Sequence, residues 1–188
     1  MATLAAALEA KGFDTFLPQR DGLELTRCVE ALVDVGFGVQ EAGRLTSKAI
    51  FALDIYQVLV GCDLLVANLN GRVPDEGTVS EASMAWSRGK PVFAFKSDSR
   101  TAFNGDDNPL VTGLFGFSLA GSIREVVESI LSYCCESLPT DSSQIREEEI
   151  DANLKLGHAI CDILSRSSGV ADVVETIRKF DTHAAVAS

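Results

Sequence analysis

The stretch Cys62-Asp-Leu-Leu-Val-Ala-Asn-Leu-Asn-Gly-Arg-Val-Pro-Asp-Glu-Gly-Thr-Val-Ser-Glu-Ala-Ser-Met-Ala-Trp-Ser-Arg-Gly-Lys-Pro-Val92 decides the fold. Leu64 to Asn68 reads as a buried strand, followed by a Gly/Asp/Pro-rich loop. A helix carrying Glu81 in its first turn comes next, and Pro91 to Phe95 reads as a second strand. Strand, helix and strand in this order call for a parallel sheet with right-handed crossovers. Such a sheet receives ligands at the carboxyl ends of its strands, so the loop and the helix start are where chemistry is expected.

Working outward, Ala2 to Lys11 holds helix formers with an apolar face at Leu4, Ala5 and Leu8, and Gly12 stops it. Phe13 to Leu17 reads as a short strand, and Pro18 to Gly22 as the loop at its carboxyl end, a candidate wall of a site. Leu25, Val29, Leu32 and Val33 keep helical spacing until Gly36 and Gly38 break it. Ala49 to Val60 reads as a helix with Thr46 or Ser47 as its N-cap. Asp54 lies in its middle among apolar neighbours, an unfavourable place for aspartate that singles it out.

Lys96 to Leu110 is a polar connection longer than the roughly 12 residues above which loops tend to be functional. A last short strand is expected within Leu114 to Leu119, then a helix capped by Ser122 and running to Cys135. Glu136 to Ser143 is linker-like, and helices are expected over Ile145 to Leu164 and Ala171 to Phe180. The expected organisation is an α/β domain over residues 1–135, a parallel sheet flanked by helices, with a helical C-terminal extension over 136–188.

A length of 188 residues suits one well-buried domain with an appendage. The net charge of -11 argues against nucleic acid, whose binding draws on cations facing phosphates. No apolar run approaches the ~20 residues a membrane span needs. The N-terminus lacks a basic n-region, so a cytoplasmic protein is expected. Five scattered cysteines without a C-x-x-C pair indicate neither a disulfide framework nor a zinc site, and are expected to be buried free thiols. No cofactor or metal is expected, and His158 and His183 read as solvated.

Asp75 and Glu81 bracket Gly77-Thr78, and their spacing supports two readings. In one, Asp75 makes a turn and Glu81 favours the positive end of a helix. In the other they are paired carboxylates serving a sugar, with Glu81 attacking an anomeric carbon to form a glycosyl-enzyme and Asp75 orienting a hydroxyl.

The run Cys62-Asp-Leu-Leu-Val-Ala-Asn-Leu-Asn-Gly71, with Asp75-Glu-Gly-Thr78, Glu81, Ala85 and Gly89-Lys-Pro-Val92, resembles the nucleoside 2-deoxyribosyltransferase family. The resemblance covers roughly Leu4 to Phe117. It implies a flavodoxin-like or Rossmann-like sheet and transfer of 2-deoxyribose between nucleobases. By position, Glu81 matches the family's nucleophile, Asp75 with Gly77 its sugar-binding turn, and Asp54 the acid that protonates the departing base. Gln19 sits where the family offers an amide to the base. Asn108 resembles the asparagine that reaches a neighbouring subunit's site, which implies a homo-oligomer acting on 2′-deoxynucleosides and free bases. Alternatives within the same resemblance are a deoxynucleoside 5′-monophosphate N-glycosidase and a non-catalytic nucleoside-sensing module.

Two departures stand out. Ser83 occupies a position where the family has glycine, and the family's first strand has no counterpart. The second implies either that Met1 is an internal methionine of a longer chain or that the protein is a remnant, with unpaired backbone groups left along two neighbouring segments.

Overall fold

Two short strands, apolar on both faces, fix the architecture. The computed structural model describes residues 1–100, 107–135 and 142–166, with scattered positions from 172 to 179. The chain divides into two units, Met1–Thr140 and Asp141–Ser188. In the first, helix α1 (Ala2–Glu9) and the short α2 (Pro18–Asp21) precede a hairpin of α3 (Leu25–Asp34) and α4 (Val39–Tyr56), and α4 ends in a π turn, Gln57–Gly61. Strand β1 (Leu65–Asn68), helix α5 (Glu76–Ser87) and strand β2 (Val92–Phe95) form the βαβ unit. The short α6 (Pro109–Thr112), a 3-10 turn (Gly113–Phe115) and α7 (Ile123–Cys135) follow. In the second unit the described element is α8 (Ser142–Ser165).

β1 and β2 are parallel, with Leu65 opposite Val92 and Asn68 opposite Phe95. Side chains alternate between the faces of a strand, and both faces here are covered. On one, Leu64, Val66, Phe93 and Phe95 pack against Leu4, Leu8, Val126, Val127 and Ile130 of α1 and α7. On the other, Ala67, Leu69 and Ala94 meet Ala82 of α5 and Phe115. The alanines at 67, 82 and 94 let α5 lie close to the sheet. The unit is therefore mixed α/β, mostly helical, with a helix layer on each face of a parallel sheet, as the fold expectation had it.

Several local expectations are corrected. Phe13 to Leu17 is not a strand. Leu17 has extended dihedrals, φ -114° and ψ 117°, but a strand also needs a ladder partner, and none among the described residues reaches it. α4 starts at Val39, so Thr46 is buried inside it and the Ser47 hydroxyl donates back to the Gly43 carbonyl at 3.0 Å instead of capping. The extended Gly38 takes the N-cap position. Leu114 to Leu119 supplies a 3-10 turn, and the residue that bridges to the sheet is Ala120, opposite Phe95.

The cysteines are free but not buried: Cys134, Cys135 and Cys161 are exposed, and Cys28 and Cys62 are half-buried. The first three lie on outward-facing positions of α7 and α8, where a thiol meets solvent. The helix over Ser122 to Cys135 is as expected, with the Ser122 hydroxyl accepting from the Glu125 amide at 3.2 Å and Glu125 reaching back to the Gly121 amide at 2.8 Å. His158 is exposed and 3.8 Å from Asp162, while His183 and half of the residues of the helix expected over Ala171 to Phe180 lie outside the described residues, the described ones being helical.

Candidate active site

The carboxyl ends of β1 and β2 are joined by short polar side chains. The Asn70 carboxamide oxygen accepts from the backbone amides of Ser97 and Asp98, both at 2.8 Å, and its nitrogen donates to Asn68 Oδ1 at 2.8 Å. Asp98 accepts from the Gly71 amide at 3.2 Å, and its carboxyl is held well below the usual range by hydrogen bonds from Arg100. Beneath this, Lys96 Nζ reaches the Leu69 carbonyl at 3.2 Å and Asp107 Oδ2 at 2.8 Å. The Lys96 and Asp107 side chains are only 7% and 3% exposed.

Along the edge of β1 lies a cavity of about 240 Å³. That is just below the usual span of small-molecule sites, ~300–1,000 Å³, and suits a compact ligand. Leu64 and β1 form one wall and Phe16 to Gln19 face it. The amides of Leu65 and Leu69 donate to Pro91 and Phe95 of β2. Alternation turns those of Val66 and Asn68 away from β2, along an edge with no ladder partner among the described residues.

The helices bring charge to this cavity. α5 opens at Asp75, whose dihedrals are extended and whose Oδ2 accepts from the Thr78 amide at 2.9 Å, an N-cap bond. Gly77 leaves room for that carboxylate, since a Cβ there would stand 3.1 Å from Asp75 Oδ2. Glu81 sits one turn further along than the expected first turn, because the helix begins at Glu76. Thr78 and Glu81, three residues apart on one helical face, both line the cavity. From the other side the end of α4 contributes Asp54, Gln57 and Val58, again at helical spacing.

Glu81 is half-buried, and its carboxyl is pushed above the ordinary value first by burial, then by the negative charges of Asp54 and Asp75. Three carboxylates from two helices thus face one small space. Ser83 does not crowd the sheet: its hydroxyl donates to the Val79 carbonyl at 2.8 Å, one turn back.

Of the residues singled out in the sequence, Glu81, Asp75, Asp54 and Gln19 line this cavity, with Gln19 exposed at its rim on α2. Gly77 does not line it and acts locally on Asp75. Asn108 does not line it either: it is exposed and caps α6, its Oδ1 accepting from the Leu110 amide at 2.9 Å. The sequence reading missed Gln57 and Cys62, both in the lining. Gln57 was within reach of the argument, since it stands three residues after Asp54 on the same helical run. Among the described residues no group of three or more His, Cys, Asp or Glu is placed to hold a metal ion, and no helix is long and apolar enough to cross a membrane.

The fold and the site define an α/β protein with a carboxylate-lined cavity along the free edge of β1 in a parallel sheet, a place for a small ligand. The sequence profile of the nucleoside 2-deoxyribosyltransferases matches residues 1–152, and the chain belongs to that family. No curated protein matches it closely enough to count as a relative.

Proposed function

We propose that the protein transfers 2-deoxyribose between nucleobases through a covalent intermediate on Glu81. The observation that carries this reading is the meeting of Glu81, Asp75 and Asp54 on one cavity of nucleoside-like scale. A Glu81 carboxylate oxygen attacks the anomeric carbon as the bond to the base breaks, and the electrons of that bond leave with the base. Asp54 gives its proton to a ring nitrogen of the base, which leaves neutral, and Asp54 is left as a carboxylate. The ionised Glu81 also stabilises the positive charge that builds on the sugar before the new bond forms. Asp75 holds a sugar hydroxyl, with Gly77 giving it room, and Gln19 presents an amide at the rim. A second base then reverses the steps. Asn108 serves a neighbouring subunit in a homo-oligomer, where an exposed turn can reach out.

The test mixes a 2′-deoxynucleoside with a second free base and follows both nucleosides by chromatography. Base exchange that vanishes in Glu81→Ala is the expected result. Exchange that persists in Glu81→Ala refutes the role of Glu81. Release of base without transfer to the acceptor makes the protein a hydrolase.

A further inference from the structure

We infer that Gln57 selects the base, and that with Asp54 it favours 6-oxopurines over 6-aminopurines. The inference rests on the proposed role of Asp54 and adds a substrate class to it. Gln57 opens the π turn that ends α4, and its backbone carbonyl accepts from the Cys62 amide at 3.0 Å, five residues on. π turns of this kind are frequent at functional sites. Here the wider turn keeps Gln57 on the cavity side, one helical step beyond Asp54, and both side chains are half-buried in the lining.

The Gln57 carboxamide has a defined orientation. Its Oε1 lies 3.7 Å from the Cys62 thiol, which donates to it. The same carboxamide lies over Gly61, where an added Cβ would overlap Oε1 and stand 3.0 Å from Cδ. With Oε1 turned to the thiol, the NH2 end is the one presented to a ligand. Asp54, the proton donor of the proposed transfer, and the Gln57 amide therefore stand side by side on one helical run.

Purines offer one edge that matches two neighbouring donors. A 6-oxopurine presents N7 and O6, both acceptors, whereas adenine presents N7 as an acceptor beside an N6 amino donor. Asp54 protonating N7 places O6 against the Gln57 amide. An amino group in that position would face another donor, leaving both unpaired, a mismatch that costs about tenfold or more.

The experiment measures kcat/KM for base exchange from 2′-deoxyinosine and from 2′-deoxyadenosine with one common acceptor. It compares the full chain with Gln57→Ala and Gly61→Ala. Calorimetric titration of the same proteins with free hypoxanthine and free adenine runs alongside. The expected result is a deoxyinosine preference in the unmodified protein that falls about tenfold in both variants. Gly61→Ala acts only by moving the carboxamide, so it keeps the test valid should Gln57→Ala fold poorly. A preference unchanged in both variants, or two substrates that slow equally, overturns the inference while leaving sugar transfer intact. Hypoxanthine binding that depends on Gln57 in a protein without exchange activity refutes the transfer reading and upholds the base selectivity. Failure of hypoxanthine to bind more tightly than adenine overturns the inference.

Discussion

Replacing Lys96 with methionine removes the cation from a buried pair and exposes how much the carboxyl end of the sheet depends on it. Lys96 Nζ stands 2.9 and 2.8 Å from the two oxygens of Asp107, and 3.2 and 3.4 Å from the carbonyls of Leu69 and Gly71. Methionine fills a similar volume but leaves a carboxylate buried without a counter-charge. Breaking such a pair on one side costs about 3–5 kcal/mol. The two freed carbonyls add at most about 1 kcal/mol each, since solvent can reach part of that turn. Against the roughly 5–15 kcal/mol of a typical domain this is about a fifth of the stability or more. Urea unfolding followed by the fluorescence of Trp86, the one tryptophan in the sequence, reports it from α5. The midpoint should fall with an unchanged slope. The double variant Lys96→Met with Asp107→Leu should recover most of the loss, because replacing both charges by apolar groups removes the unpaired ion. A loss under about 1 kcal/mol in the single variant, or a double variant no better than the single, would refute the reasoning.

Further predictions concern the site and the core. In the proposed transfer Glu81 acts as a carboxylate, and its proton is held above the ordinary range, so the acid limb of the exchange rate should lie at higher pH than for a free glutamate. Asp75→Asn removes one of the repelling charges and should lower the Glu81 pKa, as read by 13C NMR of the Glu81 carboxyl. Because the folded pKa is the raised one, the protonated form favours folding, and that contribution is lost as pH rises from the unfolded value through the folded one. Glu81→Gln should therefore melt at a higher temperature than the unmodified protein at neutral pH, and an unchanged or lower Tm would count against the burial argument. Gly77→Ala should keep or slightly raise Tm, helix propensity favouring alanine by up to about 1 kcal/mol, yet raise KM for the deoxynucleoside because the new methyl crowds Asp75. Ile130→Ala, at a fully buried position between α7 and the sheet, should cost about 2–5 kcal/mol in urea unfolding with no change in base preference.

What was legible in the sequence follows a physical line. The βαβ unit announced itself because its segments are apolar on both faces and bounded by Gly, Pro and Asp, all of which act locally. Asp54 was legible because helix propensity disfavours aspartate there, and a residue kept against local preference points to a site. Phe13 to Leu17 misled for the opposite reason: its residues suit a strand, but pairing is decided by what lies alongside. The start of α4 was missed because Thr46 and Ser47 read as an N-cap, whereas a helix tolerates both in its interior once its partner α3 packs on it. The Lys96–Asp107 pair joins residues on either side of a polar loop, and nothing in that loop's composition distinguishes a buried lysine from a solvated one. Placing Asp54 against Glu81 required the fold, since they lie on different helices and meet only across the cavity.

The unpaired edge of β1 bears on how this cavity should be dissected. Part of its wall is peptide backbone, and the amides of Val66 and Asn68 keep their places whichever side chains are exchanged. Alanine scanning reads side chains alone, so the summed losses across the lining will fall short of the affinity of any ligand that uses those amides. The shortfall is itself measurable: it is the share of recognition carried by the main chain, accessible through ester substitution at single peptide bonds but not through the genetic code's ordinary alphabet.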